Sequence, residues 1–356
     1  MSRNALAKFI QALYRLMAIG TLGFACPQVQ AADLSLRQSG GARAHVLIVE
    51  NSNATYQYQP NTACVQDMVN RGITNFTGKP TVAEAWRSLV SPQDIVGIKV
   101  FSAAGPINGT RPAVVAAVIH GLLAAGLPPG HVIIWDRDDG DLRAAGFFKL
   151  AARLGVRAAG STQAGYDPTN FYLPDTPIIG QLVWGDFEFG RKGPEVGKKS
   201  FVSLLVSRQI TKIISIAPLL NQDAVGVCGH LYGLAMGSVD NTRRFQGDSE
   251  RLAVAVPEIY ALPALGDRVA LNITDALIGQ YAGGARGLLQ YSTVLNQLWF
   301  SRDPVALDTL AIRELDRERL IIQAPGFKPN PELYSNAALL QLGMNESNRI
   351  QVEKLH

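Results

Sequence analysis

Cysteine is scarce in this chain, with three in 356 residues and no C-x-x-C pair. That excludes an iron–sulfur cluster and a structural zinc site of the usual spacing. Also missing are a G-x-G-x-x-G run after a strand, a G-x-S-x-G elbow and an H-E-x-x-H pair. Nicotinamide, flavin, serine-hydrolase and zinc-peptidase readings therefore have no support. "GPEVGKKS" at 193–200 is one residue short of a phosphate loop. A strand-like run follows it where that loop requires a helix, so it is rejected. Beyond the first 31 residues, no segment reaches the roughly 18 apolar residues of a membrane helix.

The leading stretch reads as a secretory signal peptide. Arg3, Lys8 and Arg15 precede or enter an apolar run of 11 residues, "LMAIGTLGFAC", and small Ala31 follows. The run is too short to span a bilayer, so cleavage after Ala31 and a periplasmic or secreted mature chain are expected. Lipidation at Cys26 fits less well, because Gly23 and Phe24 do not suit the required box. Removing the three leader cations leaves 30 basic against 29 acidic residues, about +1. The basic pI is therefore no argument for nucleic acid, and none is expected as a partner. The mature chain keeps Cys64 and Cys228, which leaves one disulfide open to it in an oxidising compartment.

Residues 32–356 read as a single α/β domain. "DIVGIKVFS" is a short β-branched run, followed by a glycine-containing loop and then by "RPAVVAAVIHGLLAAG". There, proline sits where helices begin and glycine where they end. "HVIIWD" closes a strand–helix–strand crossover whose strands must be parallel. Further strands are expected at 44–50, 212–218, 268–277 and 296–304. Helices are expected at 63–72, 81–89, 141–154, 304–316 and 334–342. The alternation predicts a mainly parallel sheet with helices on both faces. A Gly/Pro-rich insertion or small subdomain is expected at about 155–205, including strand-like "SFVSLLV".

In open α/β sheets, ligands collect beyond the carboxyl ends of the strands. Lys99 lies in the first strand of the crossover, where an ammonium needs an anion or carboxylate, or a route to water. Thr110 and Arg111 stand at the loop-to-helix entry, a place that favours anions. Asp136, Asp138, Asp139 and Asp141 end the second strand. They offer a general base or oxygen ligands for Mg²⁺ or Ca²⁺, with Asp136 and Asp138 the candidate pair; helix capping is the plainer use. Asp275 is a second candidate acid, whereas Asp303 before Pro304 reads as an N-cap. In "GVCGHLYGLAMGSVDNTRRF", Cys228 is expected to be a buried thiol, and His230 is a candidate ligand contact. Asp240, Asn241 and Arg243 follow two glycines that allow close backbone approach, and arginine there suits a carboxylate or phosphate.

Several segments resemble the bacterial and archaeal family catalogued as domain of unknown function 362. They are "AWRSLVSPQDIVGIKVFS", "TRPAVVAAVIHGLLAAGLPPGHVIIWDR", "GSVDNTRRF", "AVPEIYALPAL", "LNITDALIGQYAGG" and "SRDPVALDTLA". They fall in the family's order, cover most of the mature chain and fit its exported branch, which lacks a ferredoxin module. The resemblance implies an α/β fold without a settled reaction. It matches Lys99, Arg111, Asp136, Asp240, Asn241, Asp275 and Asp303 to family positions. The stretch "LLNQDAVGVCGHLYGLAMG" departs from the family, with Asn221, Gln222 and Leu231 among the residues where lysines and a lysine–asparagine pair are usual. Two functions stay open at this point. One is an exported enzyme or enzyme-like protein acting on a small anionic metabolite, with Lys99, Arg111 and Arg243 holding the anion and Asp136 or Asp275 as base or metal ligand. The other is a non-catalytic periplasmic ligand-binding or maturation protein that retains the family pocket.

Overall fold

The computed structural model describes residues 43–324 and 329–356; the expected signal peptide lies outside them. The strands, in chain order, are β1 (Ala44–Glu50), β2 (Thr55–Tyr56), β3 (Gln59–Pro60), β4 (Val96–Lys99), β5 (Val132–Asp136) and β6 (Arg157–Gly160). They continue as β7 (Tyr166–Tyr172), β8 (Ser200–Ser203), β9 (Lys212–Gln222), β10 (Gly226–Val227), β11 (Val269–Gln280), β12 (Ser292–Ser301) and β13 (Ile350–Leu355). A nine-stranded sheet runs β13-β1-β12-β11-β9-β4-β5-β6, with β10 added beside β9. Strands β11, β9, β4, β5 and β6 are mutually parallel. β12 runs against both β11 and β1, and β13 lies parallel to β1. The chain thus has the expected α/β architecture, a mostly parallel sheet flanked by helices.

Alternation along the buried strands assigns the two faces. Ile98, Ile134, Ile214, Ile216 and Ile273 turn to one core, packed against helices such as Thr62–Thr77 and Pro112–Ala124. Their neighbours Ile133, Trp135 and Ile213 turn to the other, with helices His230–Ser238, Ser249–Tyr260 and Glu332–Leu339. This two-sided burial is what a continuous apolar strand requires. Pro112 opens its helix, and Gly126 follows it with a φ of 97°.

Several elements depart from the sequence reading. The helix expected at 141–154 is two helices, Asp139–Ala144 and Phe147–Leu154, split at Gly146 with φ 88°. Helix His230–Ser238 carries no periodic signal because all its residues but Tyr232 are buried. An all-round buried helix has no polar stripe to read. In the Gly/Pro-rich stretch, β6 belongs to the main sheet, and β7 pairs with β8 in a small antiparallel ribbon. Only Ser200–Ser203 of "SFVSLLV" is strand; Leu205–Gln209 turns into a short helical segment.

Gly97 lets β4 lie under two large side chains. A Cβ there would fall 2.6 Å from Ile210 Cδ1 and 2.8 Å from Trp135 Nε1. Gly97→Ala is therefore expected to cost about 1–3 kcal/mol of stability by overpacking. Gly130→Ala, which meets nothing within 4 Å, should stay near wild type. Urea unfolding midpoints compare the two.

Candidate functional site

The carboxyl ends of β4 and β5 bring Lys99 and Asp136 together, not toward solvent. Lys99 Nζ donates to Asp136 Oδ1 at 2.7 Å and lies 5.6 Å from the Trp135 ring centroid. Asp136 Oδ2 accepts from both the amide and the hydroxyl of Ser102, at 2.8 and 2.7 Å. Lys99 is 2% exposed and Asp136 6%. Helix His230–Ser238 closes over the pair, and it can do so only because residue 237 is glycine. A Cβ there would lie 2.2 Å from Lys99 Cε. An ammonium in so dry a place needs its carboxylate, so the pair is held as a unit.

Arg111 and Asp275 form a second internal pair, both completely buried. The Arg111 amide donates to Asp275 Oδ2 at 2.9 Å and Nη1 to Oδ1 at 2.7 Å, while Nη2 donates to Ile278 O at 2.8 Å. A register shift in β11 between Ala276 and Ile278 lies where these bonds are made. Thr110 Oγ1 donates to Ile216 O and accepts from the Phe101 amide. The loop-to-helix entry does carry an anion, but that anion is the protein's own Asp275. Thr110 and Arg111 therefore face the interior as the structure stands, not a substrate.

His230 is fully buried between two hydroxyls, Ser215 Oγ at 2.9 Å and Thr274 Oγ1 at 3.0 Å. Burial pushes its pKa down to about 3, so the ring is neutral. Its helix starts on Asp308, whose oxygens accept the amides of His230 and Leu231 at 2.7 and 2.9 Å. Burial pushes Asp308 up to about 7 against those two bonds. Asp308 was not singled out from sequence; it lies 78 positions from His230. Cys228 is buried, its pKa raised by desolvation, and Cys64 and Cys228 are both free thiols.

"VDNTRRF" grips the irregular segment at 173–199. Asp240 accepts the Phe201 and Phe187 amides, and burial raises its pKa to about 7. Asn241, at φ 45°, donates through Nδ2 to Gly197 O and Lys199 O, both at 2.9 Å. Arg244 is the buried arginine; it donates to Tyr172 O, Lys198 O and Ser200 Oγ. Arg243, the arginine chosen from sequence, is exposed and has no ion-pair or hydrogen-bond partner among the described residues. The two neighbours divide the work because consecutive residues of one helical turn point to different sides.

The residues proposed for a divalent cation do not fit one as arranged. Both Asp136 oxygens are occupied by Lys99 and Ser102. Asp138 lies 3.9 Å from Arg137, and Asp139 Oδ1 accepts the Gly160 amide. Asp141 is pushed up by burial and by Asp136 and Asp138 nearby. Among the described residues no group of three or more His, Cys, Asp or Glu is placed to hold a metal ion. This edge offers to solvent Arg137, a quarter exposed, with Nη1 donating to Thr242 Oγ1 at 2.6 Å, its more exposed neighbour Asp138, and Arg243 on the residue after Thr242. A cavity of 1210 Å³ lies elsewhere, at the start of β1 and the end of β12, on the amino edge of the parallel strands.

No family model and no curated protein matches the chain. Among solved structures, a crystal structure of a protein from Thermotoga maritima matches at 10% identity with a TM-score of 0.41. The match covers 77% of this chain and 60% of that one. No helix among the described residues is long and apolar enough to cross a membrane.

Two outcomes follow from the buried groups. Asp275→Asn or Arg111→Met alone leaves a buried charge unpaired and is expected to cost about 3–5 kcal/mol. Arg111→Met combined with the same Asp275→Asn should cost less than the sum of the two single changes, as a double-mutant cycle by chemical denaturation reads. For His230, the folded ring binds its proton less tightly than the ordinary 6.5. Its stabilising contribution is complete above pH 6.5 and is lost as the pH falls from there towards 3. Asp240 and Asp308, raised to about 7, act in the opposite sense over the acid range, so the comparison must be with His230→Gln. Wild type should lose about 1 kcal/mol more than that variant per pH unit below 6.5.

Proposed function

We propose that the chain is an exported ligand-binding protein for a small anionic metabolite, held at the carboxyl edge of the sheet, and that it runs no chemical step at Asp136 or Asp275. The observation that carries this reading is that both acids are already engaged. Each meets a buried cation at 2.7 Å, and each also accepts a backbone amide on its second oxygen. A general base needs a free lone pair within reach of the proton it removes. Neither carboxylate presents one to a substrate: Asp136 is 6% exposed, Asp275 is fully buried, and each is turned to its own buried cation.

The anion-binding half of the reading rests on Arg137 and Arg243. Asp138 sits 3.9 Å from Arg137 with both side chains partly exposed, a pairing worth about 0–1 kcal/mol and easily displaced. A carboxylate or phosphate bound by both guanidiniums would gain charge-assisted hydrogen bonds. The internal pairs beneath would serve as a rigid floor. Export rests on the leader, and membership of the domain of unknown function 362 family rests on the segments quoted above.

Thermal shift and calorimetric titration of the chain beginning at Ala32 with inorganic phosphate and with succinate test this. Saturable stabilisation is expected, and Arg243→Ala should weaken it by about 10- to 100-fold, the size of a lost charged hydrogen bond. The unliganded melting temperature should not move, since Arg243 has no partner to lose. Equal affinity in wild type and variant would overturn the site. Turnover of a bound anion that Asp136→Asn abolishes without loss of binding would restore the enzyme reading.

A further inference from the structure

The 1210 Å³ cavity at the amino edge is built from parts that suit a different ligand than the carboxyl edge does. Helix Thr62–Thr77 ends there with Phe76, and Lys79 follows. β1 begins there with Arg43 just ahead of it, and β12 ends there with Arg302 just after it. Helix Glu332–Leu339 and the turn after it form the remaining wall. Arg43, Lys79 and Arg302 are exposed, and none has an ion-pair partner among the described residues. Three unpaired cations converging on one concave surface are a local positive field.

The acids on the lining do not cancel it. Asp303 N-caps helix Pro304–Ile321 on the Ala306 amide at 2.8 Å and accepts the Met344 amide at 2.8 Å. Glu346 lies 3.7 Å from Arg349. His45 pairs with Glu353 at 3.1 Å and stacks on Phe76, 5.8 Å between ring centroids and 9° from parallel. That stack presents a flat, partly apolar wall. The lining also includes Leu339, 80% exposed, and Leu342. A large apolar side chain left that exposed beside unpaired cations is the signature of a binding surface with a charged rim.

We propose that this cavity binds an amphipathic organic anion, with its carboxylate or phosphate on Arg43, Lys79 and Arg302 and its apolar body against Phe76, Leu339 and Leu342. The volume exceeds the roughly 300–1,000 Å³ of ordinary small-molecule sites, so a ligand with a medium-length chain or ring system is accommodated. Neither part of the ligand suffices alone. A free inorganic anion leaves Leu339 in water, and a neutral amphiphile leaves the cations unmatched. This site is separate from the one at the carboxyl edge and does not depend on it.

The test is calorimetric titration of the chain beginning at Ala32 with decanoate and with decyl phosphate below their micelle thresholds, and with decanol as the neutral counterpart. One saturable site is expected for at least one of the two anions, with decanol at least about tenfold weaker. Raising the ionic strength to about 0.5 M should weaken the anion further. Arg302→Glu and Lys79→Glu are each expected to lower affinity by about tenfold or more at unchanged unfolding midpoints, because neither side chain has an internal partner. Arg243→Glu, at the other edge, should leave decanoate binding unchanged. The proposal falls if neither anion binds, if decanol binds as tightly, or if both charge reversals leave affinity intact. Loss of binding in Arg243→Glu alone would also overturn it, while leaving the carboxyl-edge reading standing.

Discussion

Two dry ion pairs hold the carboxyl edge of this sheet together. Lys99–Asp136 ties the end of β4 to the end of β5 and fastens the following loop through Ser102. Arg111–Asp275 ties the start of helix Pro112–Ala124 to β11. Such pairs are poor sources of net stability, since removing two charges from water costs about as much as their attraction returns. Their value lies in being intolerant of misplacement. A shifted strand or helix would leave a buried charge alone, at a cost of about 3–5 kcal/mol. The close fit of Gly237 over Lys99 fits this reading, because it leaves no room for water to relieve the pair.

The same reasoning explains the tail of helix His230–Ser238. Residues 173–199 form little regular structure, so their backbone groups lack ladder partners. Asp240, Asn241 and Arg244 supply partners from side chains, accepting amides and donating to carbonyls at Tyr172, Gly197, Lys198 and Lys199. Residues that look from sequence like a polar ligand cluster are here the substitute for a missing sheet. Arg243 escapes this role only by pointing the other way.

The consequence is a division of charge between the two edges. At the carboxyl edge Lys99, Asp136, Arg111 and Asp275 are neutralised internally, and Arg137, Asp138 and Arg243 are among what solvent meets. At the amino edge Arg43, Lys79 and Arg302 have no ion-pair partner among the described residues and flank an open apolar wall. The usual rule that ligands collect at the carboxyl ends of parallel strands locates the first edge but says nothing about the second. The extra strands β12, β1 and β13 build that second edge beside the parallel core.

The sequence by itself determined the strand–helix rhythm, the parallel crossover from β4 to β5 and the helix starts at Pro112 and Pro304, because apolar periodicity and capping chemistry are local. It also placed Lys99, Arg111, Asp136, Asp240, Asn241 and Asp275 in special surroundings, since charged and polar residues beside apolar runs need a partner. Whether that explanation was a ligand or another residue was decided only by tertiary structure. Arg111 meets Asp275 across 164 positions and Lys99 meets Asp136 across 37. Helix His230–Ser238 was hidden for the complementary reason: buried almost all round, it has no polar face for a pattern to reveal. Periodicity records which way a side chain faces its own element, not which distant side chain will be waiting there.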